Sequence, residues 1–123
     1  MSNLQDSEIK FGEISSNSST EGASISLMRS KLTLSEVTIK KNTSGGDTAG
    51  IYIFGSELIL GDCRFEEQTS VEGAFINAQT SSSIYDTGSE FYQGVASNIG
   101  GTIRAIDTQI IMNKSNFTEN SAD

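Results

Sequence analysis

The chain has 123 residues, enough for one domain, and sets 16 acidic against 8 basic residues with no histidine, a net charge of −8. That balance repels nucleic acid and anionic membrane surfaces, so neither is an expected partner, and no apolar run is long enough to insert in a bilayer. Serine and threonine are abundant and proline and tryptophan are absent, yet the apolar residues are too regularly spaced for a disordered chain.

The opening Met1-Ser2-Asn3-Leu4-Gln5 lacks the basic and apolar regions of a signal peptide. A weak first coil passes through Ile9 and Phe11, and a glycine-led strand follows at Gly22-Ala23-Ser24-Ile25-Ser26-Leu27. From Leu32 onward the register is strict. Leu34, Leu60, Asp86 and Met112 fall 26 residues apart, and so do Ile39, Phe65, Phe91 and Phe117. Within each coil the side chains alternate with a period of two: Leu32 and Leu34, Val37 and Ile39, Ile51 and Ile53, Leu58 and Leu60, Cys63 and Phe65 point one way, with Ser, Thr, Lys, Glu and Asp mostly between them. Later coils repeat the glycine-led strand at Gly50-Ile51-Tyr52-Ile53-Phe54-Gly55, Gly73-Ala74-Phe75-Ile76-Asn77-Ala78 and Gly100-Gly101-Thr102-Ile103-Arg104-Ala105, with loops taking up the uneven spacing.

A unit of this kind cannot bury its apolar face alone and depends on its neighbours for a continuous core. The sequence therefore predicts an all-β fold, a right-handed parallel β-helix (solenoid) of roughly triangular section with about 26 residues per coil. Coils near 9–34, 35–60, 61–86 and 87–112 and a partial one at 113–123 make a single segment of roughly 4–5 coils, stacked about 4.8 Å apart. No window carries a sustained helical period.

The recurrent tetrapeptides resemble known repeats. Phe65-x-x-Gln68, Phe117-x-x-Asn120 and Ile39-x-x-Asn42 are similar to the Phe-x-x-Asn motif of the chlamydial polymorphic outer-membrane proteins. Gly100-Gly101-Thr102-Ile103 is similar to the Gly-Gly-Ala-Ile motif of the same repeats, with Glu72-Gly73-Ala74-Phe75 and Glu21-Gly22-Ala23-Ser24 as degenerate copies, while Gly94 departs from the amide. The likeness implies a right-handed β-helix of the pectin-lyase-like class and a role at a cell surface. Physically, the aromatic position stacks on its copy in the next coil, the amide suits a corner in the left-handed region, and the glycine permits positive φ or a close backbone approach.

Four sequons make Asn17, Asn42, Asn113 and Asn116 candidates for glycosylation, with Asn17 and Asn42 expected in loops. Tyr52, Phe54 and Phe75 are expected to project outward, Tyr52 and Phe75 stacked on neighbouring coils and Asn77 and Arg104 continuing the Phe54 column. This row, with Arg104, is the candidate partner contact. Its occupant would be another chain or carbohydrate, unless a loop such as 42–49 or 79–83 folds over it. Cys63 aligns with Val37 and should be a buried small hydrophobe. Asp86 replaces an inward Leu or Met, so either the strand ends early and Asp86 caps a turn, or a buried carboxylate marks a site.

The pectin-lyase-like class also contains polysaccharide lyases and hydrolases, for which Arg104 with Asp107, or Arg64 with Asp62 and Glu66, would be the candidates. None is matched by acids in the equivalent positions of adjacent coils at a convincing spacing, and Asp47 sits in no repeated calcium pattern. The chain is read as a non-enzyme with no catalytic, metal or cofactor-binding residue and no cofactor. The expectation is a structural or adhesive module of an extracellular or cell-surface assembly, either part of a longer β-helix or stacked end to end into a fibre. Its partners would be copies of itself or adjoining coils. A carbohydrate-active enzyme and an intracellular scaffold are the alternatives.

Overall fold

The computed structural model describes residues 5–10, 12–15, 18–19, 24–46, 48–99 and 101–122. The expectations for Phe11, Asn17, Glu21, Gly22, Ala23, Asp47 and Gly100 lie outside these residues. Alternating apolar patterning becomes short strands in each turn. The first turn holds β1 (Gln5–Lys10), β2 (Glu13–Ser15), β3 (Ser18–Ser19) and β4 (Ile25–Met28). The second holds β5 (Ser30–Ser35), β6 (Thr38–Lys40), β7 (Thr43–Ser44) and β8 (Ile51–Phe54). The third is β9 (Glu57–Gly61), β10 (Arg64–Glu72) and β11 (Ile76–Gln79), and the fourth β12 (Ser82–Thr87), β13 (Glu90–Ile99) and β14 (Ile103–Ala105). A further partial turn adds β15 (Thr108–Asn113), β16 (Asn116–Thr118) and β17 (Ser121–Ala122).

Equivalent strands of successive turns pair in parallel. A first sheet runs β1-β5-β9-β12-β15, a second joins β2, β6, β10, β13 and β16 with β3, β7 and β17, and a third runs β4-β8-β11-β14. The chain is thus an all-β parallel β-solenoid of about four turns, with about 26 residues per turn and no helix among the described residues. Leu34, Leu60, Asp86 and Met112 are direct neighbours in the first sheet, and Ile39, Phe65, Phe91 and Phe117 in the second. The Phe91 ring stacks on Phe65 and on Phe117 at 4.8 Å between centroids, tilted by 9° and 7°. That distance is the spacing of adjacent strands, so ring stacking and backbone pairing share one repeat.

Three corners of the turn share one construction, a residue in the left-handed region followed by an inward-facing residue, with Thr80 also left-handed ahead of Ser81. Arg29, Gly55, Ser81 and Asp107 have φ of 49°, 56°, 53° and 49°, and are followed by Ser30, Ser56, Ser82 and Thr108. Glu36, Asp62, Gly88 and Lys114 have φ of 54°, 50°, 79° and 59°, and are followed by Val37, Cys63, Ser89 and Ser115. Lys41, Glu67, Gln93 and Glu119 have φ between 49° and 54°, and are followed by Asn42, Gln68, Gly94 and Asn120. Left-handed backbone costs a non-glycine residue about 1–2 kcal/mol. Hydrogen bonds between turns offset it, such as Glu36 N to Gly61 O and Asp62 N to Thr87 O, both 2.9 Å.

The amide position is corrected by this arrangement. The turn residue is the one before it, and the amides Asn42 and Gln68 are buried. Gln68 Nε2 donates to Ile39 O at 3.3 Å, and Asn120 Nδ2 donates to Phe91 O at 3.0 Å while its Oδ1 accepts from Gly94 N at 2.7 Å. An amide serves there because it satisfies backbone groups inside the turn, where no water reaches them. A second ladder, which the sequence reading missed, opens the first sheet: Ser30 N donates to Ser56 Oγ at 3.1 Å, and Ser56 N to Ser82 Oγ at 3.2 Å.

The third sheet differs most from expectation. Its register follows Ile25, Ile51, Ile76 and Ile103, not the glycines. The glycines serve different ends: Gly73 takes φ +60°, whereas a Cβ on Gly50 would lie 2.2 Å from Phe75 O. Phe75 therefore does not point outward on the Tyr52 column. It is fully buried, with its ring 5.7 Å from that of Phe65 and 5.9 Å from that of Phe91. Gly94, where neighbouring turns carry an amide, leaves the room: a Cβ there would come within 2.4 Å of the Phe75 ring. The aromatic fills the volume the missing side chain vacates. Phe75→Ala should accordingly cost about 3–5 kcal/mol in urea unfolding, a core-sized loss, whereas an outward Phe75 would tolerate the change within about 0.5 kcal/mol.

Candidate functional site: the outer faces and the C-terminal edge

The outer face of the third sheet does not hold an aromatic row. Tyr52 lies between Ser26 and Asn77, and Phe54 between Met28 and Gln79; all alternate along strands whose other face is core. Tyr52 and Phe54 are half-buried. Arg104 continues the Tyr52 column through Asn77, not the Phe54 column, because the true register is set two residues away from the glycine alignment. Arg104 Nε pairs with a Glu72 carboxylate oxygen at 2.9 Å, and Asn98 Nδ2 donates to the other at 3.4 Å. The turn at Glu72 and Gly73 closes over Asn77, which is fully buried and accepts from Gln79 Nε2 at 3.5 Å.

The candidate lyase or hydrolase groups are dispersed. Arg104 is held by Glu72, while Asp107 forms a corner and accepts from the Ser81 hydroxyl at 3.3 Å. Arg64 is in close ion-pair contact with Glu66 and lies 3.7 Å from Glu90, so its neighbours neutralise it on the second sheet. Asp62 takes no part in that pairing: it occupies the corner before the strand, its carboxylate lying over Gly88. Further along the same face Lys40 pairs with Glu13 at 3.2 Å, and Gln93 Nε2 donates to Glu119 at 2.8 Å. Desolvation, then the Glu119 carboxylate, push the Tyr92 phenol above its usual range and keep it neutral well past neutral pH.

Inside the solenoid, Cys63 sits in the Val37 column as expected, a free and buried thiol donating to Leu34 O at 3.3 Å. Burial, with a smaller contribution from the nearby Asp86 charge, pushes its titration upward, so the thiol stays protonated and unreactive. Asp86 is corrected. Strand β12 runs through it to Thr87, so it caps no turn. Its carboxylate is 3% exposed between Leu60 and Met112, accepts on Oδ2 a hydrogen bond from the Ser115 hydroxyl, and has no partner for Oδ1 among the described residues.

The sequons separate too. Asn42 lies in the connection between β6 and β7 as expected, but it is 1% exposed with its Nδ2 directed at Gln68 Oε1 at 3.5 Å, so a glycan cannot be attached there without dismantling the ladder. Asn113 and Asn116 are both exposed.

Among the described residues, the most apolar exposed surface is the edge of the last turn. β14, β15 and β16 are the terminal strands of their sheets and pair on one side only. Phe117 is 48% exposed although Phe91, on which it stacks, and Phe65 beyond it are fully buried; Ile110 is 39% exposed, in a column where Leu32, Leu58 and Ile84 lie inside. Ile106 and Ile111 add to the same end. Phe117 and Ile110 are core residues by position, whereas Ile111 continues the outward column of Ile59 and Tyr85.

No family model matches the chain, and comparison with curated proteins and with solved structures likewise finds no match. The class to which the chain belongs by fold is the parallel β-solenoid repeat proteins.

Two outcomes test the interior chemistry. Alkylation of Cys63 in the folded chain at neutral pH should run on the order of 100-fold slower than in denaturant, because it waits on local opening. Asp86→Leu, which completes the column of Leu34 and Leu60, should raise the urea midpoint with an unchanged m-value, a gain of about 1–4 kcal/mol.

Proposed function

We propose that this chain is a structural and adhesive β-solenoid module of an extracellular or cell-surface assembly, extended at its C-terminal edge by a further coil. That coil comes from a second copy stacking end to end, or from adjoining turns of a longer β-helix. The observation that carries the reading is the uncovered core at Phe117 and Ile110, where three parallel strands also leave backbone groups unpaired. Such an edge favours addition of another coil of the same handed register, and because the two ends are unlike, repeated addition is open and linear. The likeness of the Phe-x-x-Asn and Gly-Gly-Ala-Ile tetrapeptides to chlamydial polymorphic outer-membrane repeats, and through them to the pectin-lyase-like class, supports the surface setting. The net charge of −8 agrees with partners other than nucleic acid. The half-buried outer faces of Tyr52 and Phe54, with Arg104 held beside them by Glu72, are where a neighbouring chain or carbohydrate would make lateral contact.

Assembly is readable by analytical ultracentrifugation with electron microscopy. The wild-type chain should form linear particles as concentration rises. Phe117→Lys, with circular dichroism unchanged, should raise the concentration required by about tenfold or more, since a buried ring contributes about 1.5–3 kcal/mol. A wild-type chain that stays a discrete monomer at high concentration would sink the end-to-end reading.

A further inference from the structure

Three of the four sequons lie among the described residues, and the solenoid presents each differently. Transfer of an N-glycan needs the acceptor amide and the hydroxyl two residues later on one accessible surface, because the transferase engages both. At Asn42-Thr43-Ser44 both groups face inward: Asn42 is 1% and Ser44 4% exposed, and the Ser44 hydroxyl accepts from Gly46 N at 3.0 Å. Asn113-Lys114-Ser115 straddles a corner. Lys114 takes φ 59°, so Asn113 stays outside while Ser115 turns inward and its hydroxyl donates a hydrogen bond to the Asp86 carboxylate.

Asn116-Phe117-Thr118 is strand β16 itself. The period of two that sends Phe117 onto the Phe91 ring sends Asn116 and Thr118 together to the outer face, where both are exposed. Asn116 continues the Arg64 and Glu90 column, and Thr118 that of Glu66 and Tyr92. With Arg64, Glu90 and Tyr92 they line an open depression of about 230 Å³. It offers an aromatic ring, a guanidinium and a carboxylate beside the acceptor, the mixed apolar and hydrogen-bonding surface that sugar rings pack against.

We propose that Asn116 is the N-glycan acceptor of this chain and that the first sugars lie across the depression beside Tyr92. In the transfer, Asn116 Nδ2 bonds to the anomeric carbon of a lipid-diphosphate-linked oligosaccharide. The bond from that carbon to the diphosphate oxygen breaks, the lipid diphosphate leaves with the electron pair, and the amide loses one proton to the transferase. The biological setting rests on the extracellular reading; the choice among sequons rests on the geometry.

The test is secretion of the full chain, carrying a cleavable leader, from a eukaryotic host, followed by enzymatic deglycosylation in heavy-oxygen water and peptide mass spectrometry. Occupancy at Asn116 should exceed that at Asn113 several-fold, Asn42 should be bare, and Asn116→Gln and Thr118→Ala, both at exposed positions, should each remove the main glycan. Equal or greater occupancy at Asn113 or Asn42 would overturn the inference, because modification would then precede the folded geometry. So would a bare Asn116. The same map on protein from its native source separates the two readings: glycan in the host with a bare native Asn116 would overturn the extracellular assignment and leave the acceptor geometry standing.

Discussion

Everything in this molecule follows from the requirement that each turn come back over the one before it after the same path length. Parallel strands hydrogen-bond only when equivalent residues meet, and a slip of one residue would exchange inner and outer faces. The return is made at three corners per turn by a left-handed residue, two in succession at Thr80 and Ser81, and the residue after it faces inward. Side chains of very different character, from Arg29 to Asp107, occupy one corner column. The backbone geometry is imposed by the stack and not by the intrinsic preference of the corner residue.

The constraint also explains which parts are legible in the sequence. The columns beginning at Leu34 and Ile39 recur at an unvarying 26 residues, since the corner joining the first two sheets has constant length. The third sheet is harder. Its equivalent residues Ile25, Ile51, Ile76 and Ile103 are separated by 26, 25 and 27, and the shift at Ser70 to Glu72 absorbs an extra residue inside a strand. Aligning on glycine fails there because Gly73 is required by positive φ and Gly50 by a close carbonyl, two needs at two different places. Phe75 is misjudged for the same reason: only the missing side chain at Gly94, 19 positions further along, reveals the space its ring occupies.

Candidate sites divide along the same line. The exposure of Phe117 is implied by its place in the last copy of a repeat, and the outward direction of Asn116 by strand alternation. Contacts across turns are not readable in this way. That the Ser115 hydroxyl, inward by its place after the corner, meets Asp86, 29 residues earlier, depends on a carboxylate standing where its column otherwise holds Leu or Met. The burial of Asn42 depends on recognising that an amide ladder serves the interior and not the turn.

The backbone ladders of the solenoid all run along its axis, so successive turns are bound to one another like stacked rings cut from one thread. Tension applied between the two ends acts on these bonds one turn at a time. The end turn, with strands paired on one side only, has the fewest neighbours to hold it and detaches first. Each turn of about 26 residues set free extends by up to about 90 Å while shortening the remaining stack by only about 5 Å. A protein built this way yields to force in steps and gives out length as it does so, without ever breaking a covalent bond.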